Sequence, residues 1–179
     1  MTTRTRILSL VFVAVVASLG ALMAQAQKKA AVASPAQKKP AIAYPAYPND
    51  PRGWRHVKTM VIYSKENKLF DRFPGLHNVY VNDLGWPALK NNKLYPDGSM
   101  FALEVYDISS HGGAIEPREG VKALYVMKKN AKLYAATGGW GFELFKGNDE
   151  TPTLKDMKEC FECHKAGKNR DYVKSEYMQ

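Results

Sequence analysis

The order of patterns in this 179-residue chain predicts an α+β fold, an antiparallel β-sheet with a few helices and a C-terminal helix. Three observations carry that prediction. Between Trp54 and Phe145, four or five short runs rich in β-branched and aromatic residues alternate with turn signals, and no long helical period interrupts them. Asp149 to Pro152 then closes the strand region. Leu154 to Lys165 reads as a helix, and it holds both cysteines of the chain in the run Cys160-Phe161-Glu162-Cys163-His164. Strands first and a helix last is the α+β signature rather than the βαβ alternation of a parallel sheet.

Each element has its own warrant. Trp54 to Ser64 places Val57, Thr59, Val61, Ile62 and Tyr63 in one strand-like run. Leu76 to Asn82 alternates, with His77, Val79 and Val81 on one side and Leu76, Asn78 and Tyr80 on the other. Asp83 to Pro87 is a turn, Ala88 to Leu94 a short helical connector, and Pro96-Asp97-Gly98 a strong turn. Phe101, Leu103 and Val105 then face one way, with Ala102, Glu104 and Tyr106 the other. Ser109 to Gly120, polar with Gly112, Gly113 and Pro117, reads as a loop. Val121 to Lys129 and Gly138 to Phe145 supply two more strands, the latter with Trp140, Phe142 and Leu144 on one face.

The chain before Trp54 is of a different kind. Arg4 and Arg6, the apolar run Ile7 to Met23 and the small residues of Ala24-Gln25-Ala26 have the order of a secretory signal peptide over residues 1–26. The apolar run approaches spanning length, so an uncleaved membrane anchor is the competing reading. Residues 27–53, most clearly Gln27 to Asn49, form a linker of prolines, alanines and paired lysines that cannot build a core. The folded domain is then 54–179. Export predicts a periplasmic or secreted protein. The formal charge of +9 comes from dispersed lysines without a nucleic-acid motif, so no nucleic acid is expected as a partner; a solvated surface is the default reading, with steering of an acidic redox partner as its functional extension.

Cys160-x-x-Cys163-His164 is the attachment signature of a c-type haem. The thiols add across the haem vinyl groups as thioethers, and the imidazole of His164 ligates the iron. One motif implies one covalent haem c per chain. Two competing readings exist. A dithiol redox pair wants a βαβ context, and a zinc site wants a further ligand from His56, His77 or His111. The position of the motif narrows the haem classes. Downstream of it the only methionine is Met178, and Met60, Met100 and Met127 lie in strand-like runs where core packing is their ordinary role. A haem on a sheet scaffold with no evident sixth ligand predicts an open, ligand-binding iron.

From about Trp54 to Tyr177 the chain resembles the cytochrome P-460 family, which includes the β-sheet cytochromes c′. The matching pieces are Gly75 to Asn82, Pro96-Asp97-Gly98, Gly138-Gly139-Trp140-Gly141-Phe142-Glu143, and Cys160 to His164 trailing into Asp171-Tyr172-Val173. The resemblance implies a homodimer, a five-coordinate haem with His164 proximal, and nitrogen-oxide chemistry. That chemistry is nitric oxide binding in some members and hydroxylamine oxidation in others. The oxidising members bond a lysine to the macrocycle, five residues after the glycine of the Asp-Gly pair. Here that position is Leu103, followed by Glu104. Their distal carboxylate falls near Ala123, and their distal arginine at His77.

These departures favour an uncrosslinked haem that binds nitric oxide or a similar small ligand, for scavenging or sensing. One alternative is an oxidoreductase acting on hydroxylamine or nitric oxide, with Lys122 as the fallback lysine. The other is an electron-transfer cytochrome, with His77 or a methionine as sixth ligand. Three residues are distal-pocket candidates. Leu103 either packs the core or caps the open iron face, where an apolar cap offers no hydrogen bond to dioxygen and disfavours nitric oxide or carbon monoxide far less. Phe73 matches a distal phenylalanine of the family or is a core residue. His77 points into the pocket, as donor, proton carrier or ligand, or packs in the sheet.

Overall fold

The computed structural model describes residues 43–178. The expected signal peptide and residues 27–42 of the expected linker lie outside the described residues. Among the described residues no helix is long and apolar enough to cross a membrane. The elements run β1 (Arg55–Ile62), β2 (Gly75–Val81), α1 (Trp86–Asn91), β3 (Met100–Tyr106), β4 (Ile108–His111), β5 (Ala114–Pro117), β6 (Ala123–Lys129), β7 (Trp140–Lys146) and α2 (Lys158–His164), with a 3-10 helix over Lys165–Arg170. The α+β expectation is met by a five-stranded antiparallel sheet, ordered β1-β2-β3-β6-β7, and a small β4-β5 hairpin.

The register explains how two-residue alternation becomes a core. His77, Val79 and Val81 of β2 stand opposite Val105, Leu103 and Phe101 of β3. Those stand opposite Ala123, Tyr125 and Met127 of β6. Residues directly opposite share a face, so rows of apolar side chains cross the sheet. This face is closed by α2 and the chain beyond it, where Met157, Phe161 and Val173 join Phe101, Trp140 and Phe142 in one core. The other face carries a smaller core of Ala102, Leu124, Val126 and Phe145, with Tyr47 and Trp54 packed against it. Glu104 is buried on that second face, where Arg52 Nε at 2.9 Å and the Tyr106 hydroxyl at 2.9 Å donate to it.

Three local expectations need correction. The stretch Ser109 to Gly120 is largely a hairpin rather than a loop: Gly112 and Gly113, at φ 58° and 83°, make the two-residue turn between His111 and Ala114. A Gly-Gly pair is built for this turn, but β5 is fully exposed and shows no alternation to betray a strand. The helix expected from Leu154 begins only at Lys158. Thr153 instead donates its backbone N–H to Leu144 O at 2.9 Å, and Leu154 donates to Glu143 Oε1 at 2.8 Å. The last part of the expected linker also packs on the domain. Pro45, Pro48 and Pro51 are buried, and Tyr47 meets Phe145 edge-on with ring centroids 5.0 Å apart.

Candidate functional site

Helix α2 opens with Lys158 N–H donating to Asp156 Oδ1 at 2.9 Å. On such a helix, residues three and four apart are neighbours, so Cys160, Cys163 and His164 occupy one face. Both thiols are free; Cys160 is half-buried and Cys163 exposed. Burial pushes the Cys160 thiol up to about 11, with Arg72 acting in the opposite direction.

His164 is held more tightly than its neighbours. Its ring lies against Phe142 with centroids 5.0 Å apart, and Nδ1 lies 2.8 Å from the Tyr172 carbonyl. A carbonyl can only accept, so this partner places the proton on Nδ1 and leaves the Nε2 lone pair free. That is the arrangement a metal-ligating histidine needs. Burial holds the imidazole below its ordinary value of 6.5, the carbonyl acting against it, so a neutral ring is the state available to a metal. Two unpaired thiols and a neutral, oriented imidazole on one helical face match the chemistry of c-type haem attachment.

Beside Cys160 the sheet presents a wall. Tyr125 faces the same way as Leu103, its direct partner across β3 and β6, and meets Phe73 edge-on at 5.3 Å. Burial raises the Tyr125 hydroxyl first and the nearby Cys160 adds to it, while Arg72 opposes both. Leu103 and Cys160 pack against the same core, and Tyr125, near enough to Cys160 to feel its charge, links Leu103 to Phe73. Phe73 and Leu103 were legible as candidates. Tyr125 and Arg72 were missed, and the only signal for Tyr125 is a strand register that local sequence does not specify.

His77 is 2% exposed on the same face of the sheet. Its Nε2 lies 3.0 Å from the Phe73 carbonyl, and its ring meets the Phe73 ring at 6.5 Å. It therefore touches the wall through Phe73, and burial lowers its imidazole below 6.5. His56 bonds Thr59 Oγ1 at 3.0 Å on β1, and His111 is exposed at the hairpin. Among the described residues, no three His, Cys, Asp or Glu side chains gather as a metal site. Lys122 pairs with Asp107 at 2.6 Å. Ala123 stands opposite Val105 at the end of β6. Met127 is buried opposite Phe142, Met157 takes the Thr137 hydroxyl at 3.9 Å, and Met178 is exposed.

Behind His164 lies a buried ion pair. Lys129 Nζ approaches both Asp171 oxygens, at 2.6 and 2.8 Å, with the two side chains 10% and 7% exposed. Compared with known proteins, the chain matches the family model for cytochrome P460 over residues 48–175. No curated protein matches it.

Proposed function

The chain belongs to the cytochrome P460 family and is a haem protein of that kind, and from this premise we propose that it binds nitric oxide or a similar small neutral ligand. In this reading Cys160 and Cys163 hold one haem c as thioethers and His164 is the proximal ligand. A haem held there would supply a redox-active iron able to bind small ligands. The protein is proposed to be exported to the periplasm and to act as a homodimer, exchanging electrons with an acidic partner.

The observation that carries the reading is the side chain at position 103. A leucine, next to Tyr125 and Phe73, has no nucleophile to bond a macrocycle and no proton to offer a bound ligand. Its methyl groups exclude water and select against ligands that need a hydrogen bond. Nearby, Tyr125 brings a hydroxyl to the wall, and the Arg72 guanidinium lies 5.8 Å from the Phe73 ring centroid. His164, fixed by Tyr172, sets the proximal bond. His77, 2% exposed in the sheet and bonded to the Phe73 carbonyl through Nε2, is enclosed on its strand, and this burial favours a structural histidine over a sixth ligand and weighs against simple electron transfer. Lys122, engaged by Asp107, weighs against a cross-linked oxidase.

The test is the optical spectrum of the protein matured with c-type haem, ferric and ferrous, with carbon monoxide added to the ferrous form. A high-spin ferrous spectrum of ordinary c-haem that shifts with the gas is expected. A ferrous band displaced far to the red would mean a macrocycle cross-link and an oxidative role. A low-spin spectrum indifferent to the gas would make electron transfer the function.

A further inference from the structure

The carbonyl that orients His164 belongs to a backbone segment in an uncommon conformation. Asp171 and Tyr172 have φ of 51° and 65°, consecutive left-handed residues that are not glycine. Such a pair persists only where its surroundings over-determine it.

The surroundings here are specific. The Asp171 carboxylate takes Lys129 Nζ at 2.6 and 2.8 Å and the Tyr95 backbone N–H at 3.1 Å. The Asp171 carbonyl accepts Trp140 Nε1–H at 2.7 Å. Tyr172 donates its N–H to Gly167 O at 2.8 Å, and its ring lies against Gly138, where a Cβ would collide with it. Lys129 is itself seated 5.1 Å from the Trp140 ring centroid. Strands β6 and β7 therefore reach through Asp171 to the next carbonyl along the chain, the one His164 bonds.

We propose that Lys129 and Asp171, with Trp140, are positioning residues for the proximal histidine, setting the strength of its Nδ1–H hydrogen bond and through it the electron donation of Nε2 to iron. Buried ion pairs are weak sources of stability, and in some proteins they serve instead to fix one arrangement, the role proposed for this one. A shell that holds Nδ1–H firmly on a carbonyl makes the imidazole a stronger donor and favours ferric iron. The inference rests on His164 being the iron ligand.

The experiment measures the iron–histidine stretching frequency of the ferrous haem protein and its reduction potential, for the native chain and for Lys129→Met, Asp171→Asn and Trp140→Phe. Positioning predicts that all three lower the frequency and shift the potential in the same, positive direction. A direct charge effect predicts opposite shifts for Lys129→Met, negative, and Asp171→Asn, positive, with Trp140→Phe unmoved. That pattern, or no movement in any variant, overturns the proposal. Trp140→Phe alters no charge and keeps an aromatic ring, so it decides the matter alone if the charge variants do not fold. A native protein that lacks the iron–histidine band while five-coordinate would instead refute the ligand assignment.

Discussion

Leu103 has two settings. It packs against the main core and stands beside Tyr125 in the wall near Cys160. Leu103→Ala should cost about 2 kcal/mol from lost burial and the space left behind, read as a lower urea midpoint. If the side chain also caps the haem, carbon monoxide should associate with the ferrous variant faster than with the native protein. A loss of stability with an unchanged association rate would assign Leu103 to packing alone. His77 offers a second test at this scale. Its folded-state imidazole lies below the ordinary 6.5 because burial disfavours the charged form, so the unfolded chain binds the extra proton first. Its contribution to stability is complete above about pH 6.5 and is lost as the pH falls from there towards the lowered folded value. Between pH 8 and pH 5, His77→Gln should therefore lose less stability than the native chain, measured as the change in urea midpoint. An equal loss in both would show that His77 does not govern the acid limb.

Elements were legible where one face of a strand is buried, because burial imposes the alternation that a reader can see. The run His77, Val79, Val81 was readable for that reason, and so was Phe101, Leu103, Val105. The β4-β5 hairpin was not, since a ribbon exposed everywhere but at Ile108 has no buried face to write itself into the sequence. The start of α2 was misplaced because Thr153 and Leu154 give their backbone N–H groups to Leu144 and Glu143 of β7, outside the local helical pattern. The same limit governs the site. Cys160, Cys163 and His164 are neighbours in sequence and were read directly. Tyr125, and the Lys129–Asp171 pair behind Tyr172, meet the site only through register and a backbone turn. Glu143 joins two elements. Its Oε1 accepts N–H groups from Leu144, Thr153 and Leu154 at 2.8, 3.2 and 2.8 Å, tying the approach to α2 onto the edge of β7. Glu143→Ala strands the Leu144 and Leu154 donors, while Thr153 keeps Leu144 O, and should cost about 2 kcal/mol. Hydrogen exchange at Thr153 and Leu154 should quicken more than at the strands, and uniform quickening would show that Glu143 acts on the whole domain.

Across the whole molecule, the sheet is covered on both faces, and the second cover comes from chain that its composition marks as linker. Prolines and alanines at 43–53 promise no core of their own, yet an extended segment needs none when a sheet face awaits it. Tyr47 rests on Phe145, and Arg52 supplies the cation that Glu104, 3% exposed, requires. The family match likewise begins at residue 48, ahead of Trp54. The domain boundary therefore lies before this segment. A chain beginning at Trp54 should be less stable than one beginning at Ala43, by about 2 kcal/mol, since the buried Glu104 carboxylate loses the donor that its half-exposed partner Arg52 supplies and the Tyr47 contact is lost as well. Urea unfolding of the two haem-loaded chains measures the difference. Restoring Arg52 alone, in a chain beginning at Pro51, should recover the share due to Glu104 and leave the share due to Tyr47 missing. Equal midpoints for the chains starting at 43 and 54 would return residues 43–53 to the status of a linker, and the Phe145 face would then have to be covered by another part of the assembly.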